Sequence, residues 1–250
     1  VSDSRRWRVY DGNLADEPYS QDVLDEIALT FDEVAEQYDM YYSGDDIDVE
    51  DSVIASVLNP VAKGARILDL GCGTARVSTQ LGVEYESYHG VDISQGMLDR
   101  APTDRGQRYT RAALETWEPT EEYDLVLGLF NGVGYTPIER VFELTVDALG
   151  EAGGFHLMFP TRYLLAREYQ PLDDVDRLRF SEWDDIAWAV AEVMDEYDDF
   201  VISDTVEFQP IERGEGVMAA MGTPAPFEPT GVPHSYRVVA GGLIPEGWGE

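Results

Sequence analysis

Apolar and polar positions along the 250-residue chain fall into blocks whose period changes from one stretch to the next. Residues 1–19 show no period and read as an arm. From Ser20 onward Val23, Ile27, Phe31, Val34 and Tyr38 recur at helical spacing, with Ser20 placed to cap the start. A polar turn at Ser43–Asp48 leads to a second helix over Val49–Leu58, which Asn59-Pro60 is expected to stop. Beyond Lys63-Gly64 the pattern shifts to short apolar runs at Ile67, Leu68 and Leu70 around Asp69, at Tyr123–Phe130 and at Phe155–Phe159, with further strands due at Tyr85–Val91 and Gln107–Arg111. Runs of that length between glycines and polar turns predict buried strands. Helices are predicted between them over Thr74–Leu81, over Gln95–Ala101, and from the Thr136-Pro137-Ile138-Glu139 start to Leu149. Gly150 ends that helix, and Gly153-Gly154 turns the chain into the next strand. Pro160–Arg179 is irregular, Glu182–Tyr197 is helical with Ser181 as cap, Phe200–Phe208 is a strand, Pro210–Pro233 is a loop, and Ser235–Ala240 closes the sheet. Strands alternating with helices predict an α/β domain built on a parallel sheet.

The first strand passes at once into Gly71-Cys72-Gly73-Thr74. Glycines there permit tight turn conformations and let a ligand lie against bare backbone, with helix-start amides beyond them. The second strand ends in Asp92, 19 positions beyond Gly73, where a doubly wound sheet places a carboxylate for a ribose diol. Ser94 can cap the following helix. The full string ILDLGCGTA resembles motif I, hhDhGCGTG, of the class I S-adenosylmethionine-dependent methyltransferases, with Ala75 where that family most often has a third glycine. VDIS followed by GMLDRA resembles the family's next motif, and FDEVAEQYD resembles the Y-D-x-x-A-x-x-Y-D helix that precedes motif I in many of its small-molecule enzymes. YDLVLGLF-NGVGY resembles the family's segment after the fourth strand.

The resemblance implies a Rossmann-like, seven-stranded, mostly parallel sheet in the order 3-2-1-4-5-7-6 with strand 7 antiparallel, topped by an N-terminal helical cap. It divides the chain into an arm and cap over 1–60 and a core over 61–250, within one structural domain. S-adenosyl-L-methionine is the implied cofactor, leaving S-adenosyl-L-homocysteine as product. Asp69, Gly71, Cys72, Gly73, Asp92, Ile93, Met97 and Ala113 are the implied contacts. Asp69 would orient the loop or the cofactor's amino group, and Ile93 and Met97 would flank the purine. The family's usual acid after the third strand is absent: Ala112 stands in its place, leaving adenine to backbone near Ala113, to stacking, or to Glu115. Tyr38, Asn131 and Tyr135 would position the methyl acceptor. His156, in mid-strand, reads as a core histidine; it and His234 are the rival general bases.

Composition narrows the partners. Fifty acidic against seventeen basic residues give a formal net charge of −33, with Lys63 the only lysine. Acids spread along the chain are no acidic tail, and this balance resembles proteins of extreme halophiles; a basic partner is the alternative. Absence of basic clusters weighs against nucleic acid, as does the lack of the prolines of N-P-P-Y after Asn131. Cys72, alone, can form no intrachain disulfide and no cysteine metal site, and no metal is expected. No signal-peptide core or membrane-length apolar run is present, so a cytoplasmic enzyme acting on a small molecule is expected. A non-catalytic cofactor-binding protein and a protein or nucleic-acid methyltransferase remain open alternatives.

Overall fold

The computed structural model describes residues 18–41, 54–56, 58–82, 84–130, 132–160, 179, 200–206 and 233–240. The predicted helix over Glu182–Tyr197, the polar turn at Ser43–Asp48 and the Pro210–Pro233 loop lie outside them, apart from Pro233 itself.

Seven strands form one sheet: β1 (Arg66–Leu70), β2 (Ser87–Asp92), β3 (Gln107–Arg111), β4 (Tyr123–Gly128), β5 (Leu149–Pro160), β6 (Phe200–Val206) and β7 (Pro233–Ala240). Their order is β3-β2-β1-β4-β5-β7-β6. The first five run parallel, and β7 lies antiparallel between β5 and β6. The expected topology is therefore the observed one. Because β1 is flanked by β2 on one side and β4 on the other, strand order reverses there, and a crevice opens at the carboxyl ends of these strands.

The central strands are buried on both faces, which is why they read as continuous apolar runs rather than alternating ones. Leu68, Leu70, Val126, Phe155 and Leu157 point to one face, where helix α4 (Ile138–Ala148) packs Val141, Phe142 and Leu144. Ile67, Leu125, Leu127 and Met158 point to the other, against Leu58, Ala62 and Leu81. Helix α1 (Gln21–Tyr41) lies outside this sandwich, while α2 (Arg76–Gln80) and α3 (Gln95–Leu98) follow β1 and β2.

Three local expectations are corrected. The helix at 58–62 continues through Pro60, because Ile54, Leu58 and Ala62 form one buried stripe whose packing outweighs a missing amide. Pro137, with no side-chain cap bond, precedes α4 in place of Thr136, which lies one residue earlier and closes the preceding turn by donating its amide to Val133 O. Gly150, Gly153 and Gly154 belong to β5, where the register against β4 shifts between Tyr123 and Leu125; glycine there accommodates an irregular ladder rather than ending it.

Candidate active site

The loop from Gly71 to Ala75 turns tightly out of β1. Gly71 and Cys72 donate their amides to Val91 O, and Gly71, Gly73 and Ala75 have φ of 66°, 53° and 57°. Ala75 thus holds a left-handed conformation that glycine adopts without steric cost; for alanine the penalty is about 1–2 kcal/mol. Gly71 touches the backbone of Gly132, which follows β4. A Cβ at Gly71 would lie 2.6 Å from Gly132 C, so two loops meet bare backbone to bare backbone across the crevice. A Cβ at Gly73, by contrast, would meet nothing within 4 Å. That face of the loop is open.

Asp92 stands beside it. Its Oδ2 accepts the Gly73 amide at 2.8 Å and its Oδ1 accepts the Ser94 amide at 2.9 Å. Burial raises its pKa, and the Ser94, Gly73 and Ile93 amides oppose that rise. Asp69 is 2% exposed beneath the loop and accepts a hydrogen bond from the Tyr88 hydroxyl. Desolvation pushes its pKa up to about 7, against the lowering effect of Tyr88. Cys72 is buried, and burial holds its thiol well above the usual range. Gly90 makes room for it, since a Cβ there would sit 2.5 Å from Sγ.

Met97 is 1% exposed on α3, and Ile93 is half-buried just before it. The Ala113 carbonyl is already taken by the Thr116 and Trp117 amides, at 3.1 and 3.0 Å. Glu115, two residues on, carries a buried Oε1 that has no hydrogen-bond partner among the described residues. Burial raises its pKa, with Arg179 and Arg140 opposing.

Aromatic rings gather at the rim. Phe31 on α1 meets Tyr135 edge-on at 5.4 Å and Tyr38 at 6.4 Å between centroids. Tyr38 and Tyr135 are thus brought together through Phe31, which the sequence alone leaves as a core residue as readily as a site residue. Asn131 lies outside the described residues. Arg179 reaches the same rim: its amide donates to Gly134 O at 2.6 Å, and its guanidinium lies 4.0 Å from the Tyr19 ring centroid.

Two acids of α1 complete the arrangement and were not singled out from the sequence. Asp39 Oδ1 accepts from the Thr74 hydroxyl at 2.6 Å, and Asp32 Oδ1 accepts from the Ser94 hydroxyl at 2.6 Å and the Gly96 amide at 2.7 Å. Their spacing of seven, two helical turns, puts them on one face. That repeat within FDEVAEQYD is the signal that could have marked them.

Residues 67–153 match the family described as a methyltransferase domain. This segment is a methyltransferase domain. Solved structures similar in fold include complexes with SAH and with SAM. Among solved structures, the fold is similar to a possible histamine N-methyltransferase from Thermotoga maritima, with a TM-score of 0.59, 17% identity, and coverage of 85% of this chain and 98% of that one. It is also similar to an S-adenosylmethionine-dependent methyltransferase from Mesorhizobium loti, with a TM-score of 0.53, 23% identity, and coverage of 76% and 96%. The DhpI–SAH complex gives a TM-score of 0.55 at 16% identity, covering 89% and 98%. At these identities the likeness is one of fold. No curated protein matches the chain.

Among the described residues no helix of the methyltransferase is long and apolar enough to cross a membrane, and no group of three or more His, Cys, Asp or Glu could hold a metal ion.

Proposed function

We propose that the chain methylates a small-molecule acceptor held at the aromatic rim between α1 and the loop after β4. The observation that carries this is the fastening of α1 to the loops after β1 and β2 by Asp39 and Asp32, which sets Phe31 and Tyr38 beside Tyr135 at the crevice. A rim roofed by a tied helix suits a compact acceptor better than a folded macromolecule. The net charge of −33 adds repulsion against nucleic acid. In this reading residues 1–60 serve as arm and cap and 61–250 as core of one domain.

The residues fit the donor. Asp92 accepts the Gly73 amide on Oδ2 and the Ser94 amide on Oδ1, and a carboxylate with about four lone-pair sites keeps acceptor capacity for a ribose. Gly71 and Gly73 give the loop its bare backbone, with the open side of Gly73 next to Asp92. Asp69, held by Tyr88, supports the loop from below, with Cys72 filling the space beside Gly90. Ile93 and Met97 would flank the purine near Ala113. Glu115 Oε1, a buried acceptor without a partner among the described residues, would take the hydrogen of the exocyclic amine in place of the acid that Ala112 replaces.

Bound there, the donor supplies a methyl group already activated on a sulfonium. What remains for the protein is alignment and the exclusion of water. Tyr38, Asn131 and Tyr135 are assigned to that work. His156 is fully buried within β5, paired across the ladder with β7, which fits the reading of a core histidine. The test is turnover of labelled donor against a panel of amine, phenol, thiol and carboxylate acceptors in molar potassium chloride. With an accepted substrate, His156→Ala and His234→Ala should each keep kcat within about tenfold of the parent. Loss of about 10²–10⁴-fold in one folded histidine variant would replace alignment with general-base catalysis.

A further inference from the structure

Ser94 stands between two carboxylates. Its amide donates to Asp92 Oδ1, its hydroxyl donates to Asp32 Oδ1, and the same hydroxyl accepts from the Met97 amide at 3.1 Å. Asp32 reaches in from α1, 62 positions earlier in the chain, and also takes the Gly96 amide. The approach needs glycine at 96, since a Cβ there would lie 2.9 Å from Asp32 Cα. On the far side, Asp92 Oδ2 holds the Gly73 amide. One unbroken line of hydrogen bonds therefore runs from the capping helix to the glycine loop: Asp32, Ser94, Asp92, Gly73.

We propose that Asp32 is a positioning residue for the donor site, fixing the turn at Ser94 and through it the carboxylate of Asp92. The proposal rests on the assignment of Asp92 to the donor's diol. A plain helix cap would stabilise α3 and leave Asp92 unaffected. Here the residue that Asp32 grips is also the residue whose amide orients Asp92, so the seat of α1 and the aim of the carboxylate are one variable. Asp39 on Thr74 secures the next part of α1 to the glycine loop itself. Seating α1, which carries Phe31 and Tyr38, thus accompanies the ordering of both donor loops. Acceptor rim and donor site assemble together.

The test compares parent, Asp32→Ala and Asp32→Asn in molar potassium chloride by two readouts. The first is exchange of the Gly73 amide followed by NMR in the donor-free protein; the second is titration with S-adenosylhomocysteine. Asp32→Ala should speed Gly73 exchange about tenfold and weaken binding about tenfold. Asp32→Asn keeps an oxygen that can accept from both Ser94 and Gly96, so it should restore both readouts to within about threefold. If Asp32→Ala does not fold, Ser94→Ala carries the comparison, because it removes the hydroxyl and keeps the amide. Unchanged exchange and affinity with only a lower melting temperature would overturn the proposal, as would an Asn variant as impaired as the Ala variant. Failure of the donor assignment looks different: the parent would not bind, yet Gly73 exchange would still respond to Asp32.

Discussion

In β2 the His89 ring is held by both nitrogens, with Nδ1 2.6 Å from the Tyr123 hydroxyl and Nε2 2.8 Å from the Thr110 hydroxyl. A neutral imidazole, one nitrogen donating and the other accepting, satisfies that pair of hydroxyls. Burial, with the nearby positive Arg108, pushes its pKa down from 6.5 to about 4. The unfolded chain therefore takes up a proton near pH 6.5 that the folded chain refuses until about pH 4. Between those values the unfolded state binds more protons, so stability rises with pH. His89 contributes fully above about 6.5, and its contribution is lost as pH falls toward 4. His89→Gln, whose amide can also donate and accept, should remove this component. Denaturation midpoints in molar salt should show the parent's advantage over the variant shrinking between pH 6.5 and 4. A constant difference would mean that the ring is not held neutral. Asp69, raised to about 7 in the same sheet, acts in the opposite sense, so the parent's own profile mixes the two and only the difference isolates His89.

At the level of elements, what the sequence shows depends on whether a segment's neighbours are written in its own residues. Strands β1, β4 and β5 were legible because burial on both faces demands apolar runs, and the turn after β1 because two glycines and a following helix leave few conformations. Strand order came from resemblance alone. The amphipathic pattern of α1 gave its existence and its apolar face, but Asp32 and Asp39 look like any solvated acids. Their partners, Ser94, Gly96 and Thr74, lie tens of residues away, and pairing at that distance leaves no periodic trace. Pro60 misled for the same reason: a local breaker was outweighed by Leu58 and Ala62 packing on the core. Gly150, Gly153 and Gly154 read as turns because glycine marks a turn and an irregular strand alike. The Ala113 carbonyl bonds to the Thr116 and Trp117 amides, and the buried acceptor nearby belongs to Glu115, a pairing that sequence spacing does not show.

For the whole molecule, a formal charge of −33 sets the conditions in which any of this can be measured. Self-repulsion should destabilise the fold in dilute buffer and relax as added salt shortens the screening length from about 10 Å at 0.1 M to about 3 Å at 1 M. The melting temperature should therefore climb through the molar range of potassium chloride, each kcal/mol recovered registering as about 2–4 °C. A flat profile would leave the acidic surface to be explained by a basic partner. Under such salt the central claim, a donor site built on Asp92 and the glycine loop, meets its most direct test. S-adenosylhomocysteine is titrated calorimetrically into the parent and into Asp92→Ala, with folding of both verified by melting. Loss of a charge-assisted acceptor is worth roughly 1.5–3 kcal/mol, so affinity in the variant should fall about tenfold to a hundredfold. A folded variant that binds as tightly as the parent would contradict the site.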